Sequence, residues 1–313
     1  MKYELSNKYA DEKYLSKIMG PNPLKLTEEL MLGLNIPRNG VVCDLGSGQG
    51  LTSLFLAKEY GFKVYAADLW SDPEENRRFF RSEGLTDDEI LPVKADATAL
   101  PFEKGFFDAV ICVDSYNYFG RDPAFLDEKL LPFVKSRGLV AISVLGMKKD
   151  FHENAAKEDI CKNGVKEDLR ENSAIRENAT KEDICKNGAI CKNIVKENIC
   201  ESCIKEDIRK NGMEKDIGDN TVNKDIRENF PSELLLSWTP EQLDYIRDAD
   251  YWRGIVSASK DSEIKELSAM ESDEEVWADW LGRDNEYARN DRKSMDAGAG
   301  KYLNFLKIVL KKR

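Results

Sequence analysis

The chain has 313 residues, of which 41% are hydrophobic and 34% are charged, and its formal net charge is -11. This length allows one large domain or two small ones, and the negative charge disfavours nucleic acid as a partner because it repels the phosphate backbone. No apolar run reaches the roughly 18 residues of a transmembrane helix, and the first residues lack the apolar stretch of a signal peptide. We therefore expect a cytoplasmic protein without a membrane span, whose seven cysteines are reduced thiols.

Strands and helices alternate in the first part of the chain. Apolar runs that do not alternate with polar residues predict five strands, at 41–45, 63–67, 91–95, 107–113 and 139–145. Helices are predicted between them; Pro73 and Pro123 are typical of a first helical turn, and Gly61 and Gly138 of a helix end. This order indicates an α/β fold with a parallel sheet that helices cover on both faces.

The region from 149 to 230 differs in composition and repeats itself. KEDICKNG begins at Lys157 and again at Lys181, and KEDIRKNG begins at Lys205. Isolated aliphatic residues among polar ones bury too little area to offset chain entropy, which predicts a low-complexity insertion, disordered or built of short helices. A solenoid of stacked repeats is the alternative. Cys200-x-x-Cys203 stands without a second such pair, so we predict no metal site.

The region from 231 to 313 regains aromatic residues. Thr239 and Pro240 are typical of a helix start. Three tryptophans in this region are large enough to fill a core or to line a pocket: Trp252, Trp277 and Trp280. The segment 302–310 predicts a final strand, after which three basic residues would extend into solvent.

These differences predict four parts of the chain: an N-terminal helical or lid segment 1–35, a ligand-binding core 36–148, the insertion 149–230, and a C-terminal part 231–313. In the first part, Tyr9, Tyr14, Met19 and the GPNP turn from Gly20 to Pro23 are candidates to cover a ligand, with a plain surface helix as the alternative. The only histidine, His152, lies at the edge of the insertion, so we expect no acid–base chemistry that depends on histidine. The insertion is itself a candidate surface for a protein partner.

A glycine-rich turn follows the first predicted strand. In VVCDLGSGQG, residues 41–50, Asp44 is followed by Gly46, Gly48 and Gly50. Such a turn lets the backbone approach a ligand closely at the start of a helix. The dinucleotide pattern G-x-G-x-x-G would need glycine where Leu51 stands. A structural strand-to-helix turn without a ligand is the alternative.

Acidic residues end the next predicted strands. Asp68 ends the second strand, Asp96 follows the third, and FFDAVICVDSYNYF at 106–119 contains the fourth. A carboxylate at the position of Asp68 can accept hydrogen bonds from both hydroxyls of a ribose. With the D-x-G-x-G-x-G turn, this pattern resembles the class I S-adenosylmethionine-dependent methyltransferases. DSYNYF and DYWRGI are similar to segments of the small-molecule, ubiquinone/menaquinone-methyltransferase-like type of that family.

The resemblance implies a Rossmann-like doubly wound seven-stranded sheet with an antiparallel last strand, and S-adenosyl-L-methionine as cofactor. It implies that the glycine turn wraps the methionine part of the cofactor and that the adenine lies beside Asp96 and the Ala97 amide. The cofactor-binding residues expected on this basis are Asp44, Gly46, Ser47, Gly48, Gly50, Asp68, Leu69, Asp96, Ala97 and Asp114.

The implied reaction is in-line methyl transfer to a small-molecule acceptor, in which positioning of the acceptor is the main task of the protein. Asp114 and Tyr116 follow the fourth strand, where ligands bind in open α/β sheets, and we expect both to line the reaction centre. Asn117 and Tyr118 are further candidates. Two alternatives stay open: a dinucleotide-dependent oxidoreductase, and a non-catalytic cofactor-binding module with an interaction insert.

Overall fold

The computed structural model describes residues 2–148 and 230–313. These two ranges fold together into one unit. The predicted repeats, with His152, Cys200 and Cys203, lie outside the described residues.

In the described ranges, eight strands form one sheet in the order β3-β2-β1-β4-β5-β8-β7, with the short β6 paired to β5. Their bounds are β1 Val41–Leu45, β2 Lys63–Asp68, β3 Ile90–Lys94, β4 Phe107–Val113, β5 Val134–Met147, β6 Arg247–Asp248, β7 Ser262–Ala269 and β8 Leu303–Lys312. The pairs from β3 to β5 are parallel, whereas β8 runs antiparallel to both β5 and β7. The predicted doubly wound sheet with an antiparallel last strand is therefore confirmed, and β6 adds an eighth strand.

The α-helices are α1 Glu12–Leu15, α2 Pro23–Met31, α3 Leu51–Tyr60, α4 Pro73–Ser82, α5 Pro240–Leu243, α6 Ala249–Ser257, α7 Asp273–Leu281 and α8 Glu286–Asp296. Short 3-10 turns lie at Ser6–Tyr9, Tyr116–Tyr118, Leu131–Phe133, Leu234–Leu236 and Ala299–Lys301, and a π-helical segment at Leu126–Leu130. The predicted proline starts of α4 and α5 are confirmed, and Thr239 closes a capping box with Gln242. The predicted stop at Gly61 is also confirmed, because Gly61 caps α3 in the left-handed conformation.

Gly138 does not end a helix, contrary to the sequence prediction. The helical turns before it end at Phe133, and Gly138 lies inside β5. A β-carbon at this position would come within 2.8 Å of the Asp108 carbonyl oxygen, where the pairing of β4 and β5 shifts register. Glycine is thus needed for a bulge between two strands.

The end of the chain also differs from the prediction of basic residues in solvent. β8 continues to Lys312, whose ammonium group donates to the carbonyl oxygens of Leu131 and Val134 at 2.7 and 2.8 Å. The strand β7 has no counterpart in the prediction. It lies at the sheet edge and carries charges such as Glu263 and Lys265, so it lacks the apolar run used to find the other strands.

The N-terminal segment is held against α3 and α4 by buried tyrosines. Tyr9 donates to Glu59 at 2.8 Å, and Tyr14 donates to Glu83 at 2.7 Å. Their rings meet edge to face at 4.9 Å between centroids. The prediction that both tyrosines cover a ligand is wrong, because these contacts bury them in the core away from the cavity described below.

Glu83→Gln is expected to weaken this attachment in a pH-dependent way. Burial would raise the pKa of Glu83, but hydrogen bonds from Tyr14, Lys58 and Lys13 outweigh it and lower the pKa to about 2, from an ordinary value of 4.5. The ionised carboxylate therefore stabilises the fold above about pH 4.5, and this contribution disappears as the pH falls towards 2. Urea unfolding at a series of pH values should show a stability gap between wild type and variant at pH 7 that closes in acid. A gap independent of pH would contradict the assignment.

Candidate functional site

A cavity of about 650 Å³ opens at the carboxyl ends of β1, β2, β3 and β4. Its walls are the loops that follow these strands and part of the N-terminal segment between Lys17 and Pro23. The strand order reverses between β1 and β4, and the carboxyl end of such a switch point is where open α/β sheets bind ligands.

The glycine turn after β1 is shaped by protein neighbours on two sides. A β-carbon on Gly46 would collide with the Ser115 side chain of the β4 loop, and one on Gly50 would lie 2.6 Å from the Phe80 ring of α4. The Ser115 hydroxyl in turn donates to the Leu45 carbonyl oxygen at 3.0 Å. The missing side chains of Gly46 and Gly50 therefore let the β4 loop and α4 close onto the turn. Gly46 still lines the cavity, and its contact with a ligand stays a prediction, whereas Gly50 does not line it, so the expectation that Gly50 makes room for a ligand is wrong.

Four consecutive residues of this turn, Gly46 to Gln49, line the cavity. Among them, the Ser47 hydroxyl is buried without a hydrogen-bond partner among the described residues. A buried polar atom without a partner costs free energy. The Ser47 hydroxyl is therefore a candidate to bind a polar ligand group.

Asp44 does not line the cavity, contrary to its predicted cofactor-binding role. It is 1% exposed and accepts hydrogen bonds from the Thr52 and Ser53 hydroxyls, each at 2.5 Å. Burial raises the pKa of Asp44 to about 6, against the opposing effect of these two bonds. Asp44 holds the first turn of α3 to β1, which positions the glycine turn.

Asp68 stands at the end of β2 and faces the cavity, next to Leu69, which also lines it. One carboxylate oxygen accepts from the Gly48 amide at 2.9 Å, and the other accepts from the Trp70 and Ser71 amides at 2.8 Å each. Burial would raise the pKa of Asp68, but the hydrogen bonds from Ser71, Gly48 and Trp70 outweigh it and lower the pKa. Asp68 is therefore an ionised acceptor that also joins the β1 and β2 loops.

Asp96 and Ala97 line the cavity from the loop that follows β3. One oxygen of Asp96 accepts from the amide and the hydroxyl of Thr98, both at 2.8 Å, and these bonds lower the pKa of the exposed carboxyl. Ala97 is buried. Both residues border the cavity where the sequence prediction put the adenine.

Asp114 follows β4 in the left-handed conformation, with φ of 52°. Its amide donates to the Ser143 carbonyl oxygen at 2.7 Å, and one carboxyl oxygen lies 3.5 Å from the place a β-carbon would take on Gly20. Burial raises the pKa of Asp114 to about 7, opposed by a hydrogen bond from the Leu145 backbone. The cavity therefore contains one carboxyl group that can gain or lose a proton near neutral pH.

Tyr116 is placed in the core and not at the reaction centre, contrary to its predicted role. It is fully buried and its ring packs on Phe119, Phe125 and Trp252. Tyr118 lines the cavity and is 68% exposed. Residues 116–118 form a 3-10 turn, in which about three residues complete one turn, so positions two apart do not share a face.

Several lining residues have no counterpart in the prediction, among them Lys17, Thr52, Ser115 and Phe119. Of the predicted lid segment, Met19, Gly20, Pro21 and Pro23 also line the cavity. Within residues 2–148 and 230–313, acidic, cysteine and histidine side chains form no group that could hold a metal ion. No helix in this part of the chain is long and apolar enough to cross a bilayer.

Comparison with protein families matches residues 42–130 to a methyltransferase domain. Among curated proteins, the chain is 32% identical over 117 residues to 2-methyl-6-phytyl-1,4-hydroquinone methyltransferase of Synechocystis sp., which covers 37% of this chain and 35% of that protein. It is 36% identical over 75 residues to sarcosine/dimethylglycine N-methyltransferase of Halorhodospira halochloris, covering 24% of this chain and 27% of that protein. The matches thus span about a third of these relatives or less.

Among solved structures, the fold is similar to phosphoethanolamine N-methyltransferase 2 of Haemonchus contortus, whose structure is a complex with S-adenosyl-L-methionine. The TM-score is 0.54 at 14% identity, and the match covers 100% of this chain and 58% of that one. At this identity the likeness concerns the fold.

Proposed function

We propose that the chain, whose residues 42–130 are a methyltransferase domain, transfers a methyl group from S-adenosyl-L-methionine to a small-molecule acceptor. The observation that carries the proposal is Asp68, an ionised carboxylate at the end of β2 that faces the cavity beside the glycine turn. Asp96 and the unpartnered Ser47 hydroxyl border the same space. The residues present therefore fit a nucleoside with a polar tail.

When bound, S-adenosyl-L-methionine supplies a methyl group on a sulfonium, activated for in-line displacement. In the proposal, Asp68 accepts hydrogen bonds from the ribose hydroxyls, Asp96 and the Ala97 amide face the adenine, and Ser47 and Gly48 hold the methionine part. Asp114 then lies at the acceptor side of the cavity, at the end of β4. Orientation of the two reactants can supply about 7–11 kcal/mol of barrier reduction.

The four-part division of the chain fits this proposal, with 36–148 as cofactor-binding core and 231–313 completing the sheet. The net charge of -11 supports a small-molecule acceptor over nucleic acid. A protein partner that binds through residues 150–229, and a cytoplasmic location, remain parts of the proposal that rest on the sequence.

Calorimetric titration of the full chain with S-adenosylhomocysteine and, separately, with NAD tests the cofactor. We expect saturable binding of S-adenosylhomocysteine and none of NAD. The cavity offers Asp68 to a ribose, and among the described lining residues Lys17 is the only cation for a pyrophosphate. Metabolite extracts incubated with methyl-labelled S-adenosyl-L-methionine should then yield a labelled product. Tight NAD binding would favour the oxidoreductase, and cofactor binding without labelled product in any extract would favour the non-catalytic module.

A further inference from the structure

We infer that the methyl acceptor is an amine that arrives protonated, and that Asp114 binds its ammonium group and takes up the proton before methyl transfer. This inference rests on the proposed function and names the chemical class of its acceptor. It is carried by the charges around the cavity, the surroundings of Asp114 and the aromatic side chains beside it.

The lining of the cavity is negative. Among the described residues, three carboxylates, Asp68, Asp96 and Asp114, and one cation, Lys17, line it. The Lys17 ammonium lies 4.2 Å from the centre of the Phe79 ring on α4, the helix that follows β2. An acceptor with a carboxylate or phosphate would therefore meet more like charge than opposite charge in this lining.

The nearest cation along the chain from Asp114 is already paired. Arg121 donates to the Asp244 carboxylate at 2.6 Å, and its guanidinium lies 4.3 Å from the centre of the Tyr245 ring. Arg121 is not among the residues that line the cavity, and the charge of Asp244 offsets its own. The side of the cavity after β4 is therefore better suited to a cationic ligand than to an anionic one.

Asp114 is itself suited to hold a proton for part of a catalytic cycle. Asp114 is half-buried and lines the cavity, and its carboxyl group receives a hydrogen bond from the Leu145 backbone. Two titratable groups interact electrostatically with Asp114: Cys112 on β4 and Tyr118 in the following turn. Burial raises the pKa of both groups, so both stay neutral at pH 7. With its own pKa at about 7, Asp114 can accept a proton at neutral pH and release it afterwards.

Aromatic side chains next to Asp114 favour a positive ligand. Tyr118 and Phe119 line the same cavity, and Tyr118 lies 5.5 Å from Tyr245 between ring centres. Aromatic faces attract ammonium and methylammonium groups, more strongly where water is excluded. The same rings would stabilise the charge of a methylated product.

The proposed step balances in charge and atoms. The ammonium group gives one proton to the Asp114 carboxylate, which leaves a neutral amine. The nitrogen lone pair then forms the bond to the methyl carbon while the carbon–sulfur bond breaks and its electron pair stays on sulfur. The products are a methylated ammonium ion and a neutral thioether, and Asp114 returns its proton to solvent.

Three probes of similar shape and different charge test the inference: benzylamine, phenol and benzoate. Each is titrated calorimetrically into the full chain saturated with S-adenosylhomocysteine, at pH 7, in two buffers of different ionisation enthalpy. We expect benzylamine to bind at least tenfold more tightly than phenol or benzoate, with proton exchange that depends on the buffer. Asp114→Asn should weaken benzylamine binding at least tenfold and abolish the buffer dependence, while Asp88→Asn, an exposed acid at the opposite edge of the sheet, should change neither.

Label transfer to benzylamine gives a second readout. In the wild type, kcat/KM should fall as the pH drops below about 7, where Asp114 becomes protonated. In Asp114→Asn this break near pH 7 should disappear, and kcat/KM should instead follow the neutral fraction of the free amine, which falls steadily as the pH is lowered. The inference is overturned if benzylamine does not bind the S-adenosylhomocysteine complex, if phenol or benzoate binds as tightly, or if Asp114→Asn retains amine affinity within twofold. Failure of the wild-type chain to bind S-adenosylhomocysteine would instead overturn the proposed function.

Discussion

Asp68→Ala is expected to weaken the binding of S-adenosylhomocysteine about a hundredfold, because about 2.7 kcal/mol of charge-assisted hydrogen bonding to the ribose would be lost. The substitution also removes the acceptor for the amides of Gly48, Trp70 and Ser71, so the loops after β1 and β2 would lose the hydrogen bonds that join them. Calorimetric titration of the variant measures the effect directly.

Two further variants separate the ribose contact from the loop contact. Asp68→Asn keeps an oxygen that can accept from backbone amides but removes the charge, and we expect an intermediate loss of about tenfold, since bonds to charged groups are roughly twice as strong. Asp88→Ala serves as the control, because Asp88 is exposed in the loop before β3, away from the carboxyl ends of the strands. A dissociation constant for Asp68→Ala within threefold of wild type, with the unfolding transition unchanged, would reject Asp68 as the ribose ligand.

Gly50→Ala is expected to lower the free energy of unfolding by about 3 kcal/mol. Part of this cost is the left-handed conformation of Gly50, with φ of 79°, which disfavours alanine by roughly 1–2 kcal/mol. The rest comes from overpacking, because the new methyl group would lie 2.6 and 2.7 Å from two carbons of the Phe80 ring. Urea denaturation at neutral pH measures the change.

The chain offers a matched control for this prediction. Gly84 has nearly the same conformation, with φ of 82°, but nothing lies within 4 Å of where its β-carbon would be. Gly84→Ala should therefore cost only the conformational part. Gly50→Ala combined with Phe80→Leu should recover part of the overpacking cost. If Gly50→Ala and Gly84→Ala lower the free energy of unfolding equally, then overpacking between the glycine turn and α4 contributes nothing to the cost of Gly50→Ala.

The strands that carry the proposed cofactor-binding part of the site could be predicted because the sequence patterns that indicate them are local. β1, β2 and β4 are apolar runs, and the turns between them contain Gly61 and Pro73 at positions where only a few residue types fit. The carboxyl ends of parallel strands meet at one edge, so Asp68 and Asp96 could be brought to one site from their order along the chain.

Other parts of the site depend on contacts between distant segments, which the sequence pattern does not contain. Tyr116 and Tyr118 are equally plausible from sequence, and the packing of Tyr116 against Trp252, from the other side of the insertion, decides which one faces the cavity. The contact of Gly20 with Asp114 also depends on distant segments, because Gly20 lies beside Asp114 only through the attachment of the N-terminal segment to α3 and α4.

The position of β8 has a consequence for how the protein is made. β8 is the last strand in chain order among the described residues, yet it lies in the sheet interior, paired along its length with β5 and β7. While the chain is being translated, the strands around the cavity can associate early, but β5 keeps an open hydrogen-bonding edge until β8 leaves the ribosome. The nascent chain therefore passes through a stage in which the strands around the cavity are already present while β5 still exposes an edge that can pair with another chain.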